Sequence, residues 1–129
     1  DVISLHLPMS ENNAGFVNTD FLNAMKSGSY LINTARGKLV DEEALTTALD
    51  KGHLAGAGLD CQATEPPEGT SLKLVQIPSV VAMPHSASST VTARERMSIV
   101  AAKSIVDCLQ GRIPKHVVNR DVLDQLELQ

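Results

Sequence analysis

The sequence predicts an α/β protein whose parallel sheet is joined by helical crossovers. Three observations lead there. Short apolar runs are bounded by Pro, Gly and Asp; the stretches between them carry helical spacing with capping residues; and the two kinds alternate along the chain. At 129 residues with 43% apolar content, the chain fits one globular domain.

Each element has its own local reason. Val2 to Leu7 is apolar and β-branched, and Pro8 with Ser10-Glu11-Asn12-Asn13 turns that strand into a loop. Asn18 or Thr19 caps a short helix with Phe21, Leu22 and Met25 on one face, and Lys26-Ser27-Gly28 ends it. Tyr30 to Ile32 is a short buried strand. After the loop Asn33-Thr34-Ala35-Arg36-Gly37, Asp41 caps a helix over Glu42 to Lys51. There Ala44, Leu45, Ala48 and Leu49 form the apolar stripe, Glu42 and Glu43 complement the dipole, and Gly52 is the stop.

Leu54 to Leu59, rich in Ala and Gly, reads as a tightly approached strand ending at Asp60. A Pro-rich loop over Glu65 to Gly69, a brief turn at Leu72 to Val75 and a strand over Val80 to Met83 follow. From Thr90 to Leu109 the pattern is a long helix, apolar on more than one side, and therefore expected between two layers. Gly111 ends it, and in the tail only Val117-Val118 is strand-like.

Composition removes several function classes. A formal charge of −4, from 11 Lys and Arg against 15 Asp and Glu without basic clusters, leaves no footprint for nucleic acid or an anionic membrane surface. No apolar run approaches the roughly 20 residues of a membrane span. Three aromatics (Phe16, Phe21, Tyr30) supply little stacking surface. Two cysteines, Cys61 and Cys108, are too few for a disulfide framework or a cysteine zinc site; they suit a reducing compartment, by default the cytosol. No His, Cys or carboxylate spacing resembles a zinc or calcium site, and no metal is expected. The chain opens within a strand, without Met or a signal pattern, so a fragment of something longer is expected, inactive by itself.

In open parallel sheets, ligands bind beyond the carboxyl ends of the strands. Those positions here hold Pro8, then Asn33 to Arg36, then Asp60 with Glu65 nearby, then His85. One arginine, two carboxylates and one histidine are thus sent to one edge by four strands. His6, His53 and His116 lie outside that set and read as structural. Gly56-Ala57-Gly58 enters a strand rather than following one, and it lacks a third glycine, so it is not a phosphate loop. Its expected purpose is close packing of a helix on the strand.

These residues carry a resemblance. Ile32-Asn33-Thr34-Ala35-Arg36-Gly37 with Val40-Asp41-Glu42 and Ala44-Leu45, Ala55-Gly56-Ala57-Gly58-Leu59-Asp60 followed by Glu65-Pro66-Pro67, and Pro84-His85 with Thr90 stand in the order and spacing of the D-isomer-specific 2-hydroxyacid dehydrogenases. The chain resembles that family from Val2 to about Leu123. The resemblance implies a Rossmann-type half domain. Residues 1–89 would be the second half of the NAD(P)-binding domain, and 90–129 a long interdomain helix and the segment returning to a substrate domain. It implies NAD, with NADP left open, a small 2-hydroxy or 2-oxo acid substrate, and a homodimer.

The resemblance makes Arg36, Glu65 and His85 the catalytic set. It places Asp60 on the nicotinamide carboxamide, Thr34, Ala35, His85 and Ala87 along the coenzyme, and Leu7 with Pro8 as a wall of the adenosine side. The chemistry of the residue types agrees. Arg36 offers a planar charged fork to a carboxylate and the adjacent carbonyl oxygen. An imidazole exchanges a proton near neutral pH, worth roughly 10²–10⁴ in rate. A carboxylate such as Glu65, bonded to the ring, favours its protonated form. Cys61-Gln62, Lys38 and Ser86-Ala87 depart from the family's commoner residues and border the pocket, so they bear on which acid is used. The alternative reading is a dinucleotide-gated interaction scaffold, corepressor-like, on the same fold.

Overall fold

In the computed structural model, which describes residues 1–125, four strands form one parallel sheet in the order β1-β2-β3-β4. They are β1 (Val2–Leu5), β2 (Ser29–Asn33), β3 (Leu54–Leu59) and β4 (Val80–Ala82). The connections carry α1 (Thr19–Ala24), α2 (Glu42–Asp50) and α3 (Gly69–Val75). Sequential strand order with crossovers of one hand places the three helices on one face. Accordingly α2 packs between α1 and α3.

Capping sets the helix starts. Asn18 Oδ1 accepts from Phe21 N at 2.9 Å, and Asp41 Oδ1 accepts from Glu43 N and Ala44 N at 3.1 and 3.0 Å. The core lies between the helices and the sheet, where Leu22, Leu31, Leu39, Leu45 and Leu74 are fully buried, each contributing roughly 1.5–3 kcal/mol. The opposite sheet face keeps Val2, Tyr30 and Val81 exposed.

The chain falls into two compact units, Asp1–Ala87 and one that begins at Ser88. The second holds α4 (Val91–Leu109), capped by Thr90 Oγ1 accepting from Ala93 N at 3.1 Å, and a 3₁₀ turn at Arg120–Gln125. Its buried anchor is Asp107, whose carboxylate accepts from Arg112 at 2.8 Å and Lys103 at 2.9 Å; these two cations hold it below the usual carboxylate range. Among the described residues no helix is long and apolar enough to cross a membrane.

Several expectations need correction. The segment read as a brief turn at Leu72 to Val75 is the end of a helix that starts at Gly69, because the Pro-rich loop before it hides the first turn. β1 stops at Leu5, two residues short of the expected end, since Pro8 and its neighbours already run in the loop. The apolar side chains of α4 stand exposed within this chain, Ile99 at 66% and Leu109 at 82%. An apolar period reports a capacity for burial and names no partner. Val117-Val118 forms no strand, and Val118 is fully exposed. Gly56 serves close approach, but to a strand and not a helix. A Cβ there would sit 2.6 Å from the Ser79 carbonyl oxygen and 3.3 Å from the Tyr30 ring.

Candidate active site

The loop after β2 is shaped by Asn33, which is 1% exposed. Its Oδ1 accepts from Ala35 N at 3.0 Å, its Nδ2 donates to the Arg36 carbonyl at 2.9 Å, and its own carbonyl accepts from Asp60 N at 2.9 Å. An Asn side chain bonding two and three residues ahead is an Asx-type turn. It fixes the backbone from which Arg36 projects. One guanidinium nitrogen donates to the Ala35 carbonyl at 2.7 Å; the side chain is otherwise exposed, with its remaining donors available. Sequence reasoning gave Asn33 no role of its own, because its partners could only be known from the turn it makes.

Glu65 stands on the loop after β3, and that loop is anchored from below. Glu42, in the first turn of α2 and 8% exposed, accepts from Ala63 N at 2.8 Å and from the Ser71 hydroxyl, which itself accepts from Thr64 N at 3.2 Å. In the sequence Glu42 reads as a complement to the helix dipole and as part of the family-like motif, without a loop to hold. Its other partners lie 21 and 29 positions away, beyond any local pattern. Above this anchor Gln62 N donates to Glu65 Oε1 at 3.1 Å.

His85 follows β4 with φ +52°, a left-handed conformation uncommon for a side-chain-bearing residue. Asp60 holds the backbone that makes this turn. It is 5% exposed, and its two oxygens accept from Ser86 N at 2.7 Å and Ala87 N at 2.9 Å. The result turns His85 Nδ1 onto the Glu65 carboxylate, 2.9 Å from Oε2 and 3.1 Å from Oε1. With a carboxylate there, Nδ1 carries the proton and Nε2 is the nitrogen left for a ligand.

The hydrogen bond from His85 holds the Glu65 carboxyl below the usual glutamate range; partial burial opposes this and the Gln62 N–H adds to it. A depressed carboxyl stabilises the fold above about pH 4.5, and that contribution is lost as pH falls through its native value. Side-chain carboxyl NMR in an acid titration should therefore find Glu65 ionised below its ordinary midpoint, and His85→Ala should move that midpoint upward. An unmoved midpoint would refute the pairing.

Arg36, Glu65 and His85 line one open cavity of about 220 Å³, together with Lys38, Cys61 and Gln62. Cys61 is no nucleophile there: burial first, then Glu65 and Asp60, push its thiol up to about 11. A second cleft of about 230 Å³ opens at the same edge, floored by Ile32, Val81 and Met83 and bordered by Thr34, Asp60 and Ala87. An apolar floor beside a buried carboxylate suits a flat heteroaromatic ring that carries an amide. Ala35 and Leu7 are partly buried against the core, and Pro8 is exposed, its carbonyl accepting from Asn13 Nδ2 at 2.8 Å. His53 bonds the Leu22 carbonyl at 3.0 Å and His6 the Ser4 hydroxyl at 2.8 Å, while His116 belongs to the second unit.

A parallel α/β sheet with its polar side chains gathered past the strands' carboxyl ends is the layout of nucleotide-binding α/β proteins. Residues 1–87 match the family model of the D-isomer specific 2-hydroxyacid dehydrogenase NAD binding domain, and the chain belongs to that family. It is 42% identical over 123 residues to a glyoxylate reductase of Thermofilum pendens, covering 95% of this chain and 36% of that protein. The NAD-complexed D-isomer specific 2-hydroxyacid dehydrogenase of Lactobacillus delbrueckii ssp. bulgaricus superposes with TM-score 0.84 at 35% identity, over 92% of this chain and 40% of the other. The D-lactate dehydrogenase of Lactobacillus jensenii, solved with NAD+, gives TM-score 0.84 at 34% identity, over 93% and 40%. The chain thus spans less than half the length of these relatives.

Proposed function

We propose that this chain carries the substrate- and proton-handling part of an NAD-dependent oxidoreductase that interconverts D-2-hydroxy acids and 2-oxo acids. The observation that carries the reading is the meeting of Arg36 with the Glu65–His85 pair in one cavity, beside a cleft suited to a nicotinamide. The Arg36 fork binds the substrate carboxylate and draws on the adjacent ketone oxygen. His85 Nε2 delivers a proton to that oxygen in reduction and removes it in oxidation. Glu65 holds the ring and keeps Nδ1 protonated. NAD, when bound, supplies or accepts the hydride.

Thr34, Ala35 and Ala87 would border the coenzyme. Asp60, with each oxygen engaged by one backbone N–H, keeps lone pairs for a carboxamide donor. Leu7 and Pro8 would flank its adenosine side. The relatives' activities, glyoxylate reduction and D-lactate oxidoreduction, support this reading, and a homodimer in the cytosol is its expected setting.

The test is Arg36→Lys in the full-length protein. A lysine keeps the charge and loses the fork, so KM for a 2-oxo acid should rise about 10–100-fold, the equivalent of roughly 1.5–3 kcal/mol, with NADH affinity unchanged. Unaltered steady-state constants would exclude Arg36 from substrate binding.

A further inference from the structure

The cavity holding Arg36 and His85 has a second cation on its wall, Lys38. Both Arg36 and Lys38 are exposed, and neither is ion-paired among the described residues. The acid on the same wall, Glu65, is already engaged: both oxygens face His85 Nδ1, and one also accepts from Gln62 N. Its negative charge is therefore turned inward onto the pair, and among the described residues neither cation on this wall has an acidic partner. A simple 2-oxo acid carries one carboxylate and can answer only one of them.

The backbone under Lys38 is fixed while its ammonium is not. Lys38 lies in a short 3₁₀ turn, Gly37–Leu39, whose carbonyls accept from Gly15 N and Val17 N, each at 2.9 Å. A compact charge on a flexible stem can reach an anion whose position varies, whereas the Arg36 fork reads one planar geometry.

We propose that Lys38 reads a second anionic group on the substrate, so that the site takes 2-oxo acids bearing a distal carboxylate or phosphate in preference to small monoanionic ones. This rests on the oxidoreductase reading above. Because the ammonium is exposed, the preference is electrostatic and weakens with salt.

The experiment compares kcat/KM for glyoxylate, 2-oxoglutarate and phosphohydroxypyruvate in the full-length protein, at low and physiological ionic strength. The variants are Lys38→Met and Lys38→Arg. The unmodified protein should favour at least one dianionic acid over glyoxylate; Lys38→Met should lower that ratio by about two- to fivefold at low ionic strength, and Lys38→Arg should restore it. The dicarboxylate and phosphate arms show which second anion is read. A preference for glyoxylate, or a ratio that Lys38→Met leaves in place, overturns the proposal. If 2-oxo acids are reduced in a His85-dependent way with no change of ratio, Lys38 alone is misassigned. If no 2-oxo acid is reduced at all, the oxidoreductase reading fails and this proposal with it.

Discussion

Replacing His85 by Ala in the full-length protein should lower kcat/KM for 2-oxo acid reduction by about 10²–10⁴, a loss far larger than any change in NADH binding followed by fluorescence. The split follows from where the ring sits. Nδ1 is occupied by Glu65, 2.9 Å away, and Nε2 is the nitrogen left toward the cavity shared with Arg36. Truncation removes the proton donor and leaves the sheet, the Asp60 contacts to backbone 86 and 87 and the apolar floor of the neighbouring cleft in place. His85→Gln is the companion variant, because an amide can keep a contact with Glu65 yet cannot donate a proton at useful rates. Near-normal turnover in both variants would remove the acid/base role from His85.

The parts of this site differ in how visible they are in the sequence. Arg36, Glu65 and His85 are legible because each follows a strand, and strand ends in a parallel sheet all face one edge. β3 is found at its true limits, since its Ala and Gly run is bracketed by Gly52-His53 and Asp60. Asn33 and Glu42 escape notice for a different reason: one acts by folding its own loop, the other by catching an N–H and a hydroxyl from a loop that is local only in three dimensions. Gly56 shows a third case. The need for a missing side chain is legible, but the neighbour that requires it, the Ser79 carbonyl, is set by strand register. Helix α4 shows a fourth, in which the helix is read correctly and its apolar side chains stand exposed within this chain, since a period in the sequence names no partner.

Gly37→Ala should produce the largest structural effect of any single methyl added to this site. Gly37 directly follows Arg36, and a Cβ on it would overlap the Gln62 carbonyl carbon and oxygen and lie 2.5 Å from Ala63 N. All three atoms are backbone, so no side chain can rotate away. Either the Arg36 loop or the Glu65 loop must move, and each is tied down, the first by Asn33 and the second by Glu42. Overpacking of this kind costs about 3 kcal/mol or more, read as a lower denaturation midpoint at unchanged slope. A stability loss alone would not show that the two loops are coupled. Gly56→Ala is the control, since its Cβ meets the Ser79 carbonyl oxygen at 2.6 Å within the sheet and leaves the two loops untouched. Both variants should be less stable. Only Gly37→Ala should also lose activity in the fraction that remains folded, because displacement by about 1 Å of one loop parts the guanidinium from the imidazole, and misplacement of that size is worth about 10²-fold in rate. A Gly37→Ala protein of full stability and full activity would show that the crossing of these loops does not set the distance between Arg36 and His85.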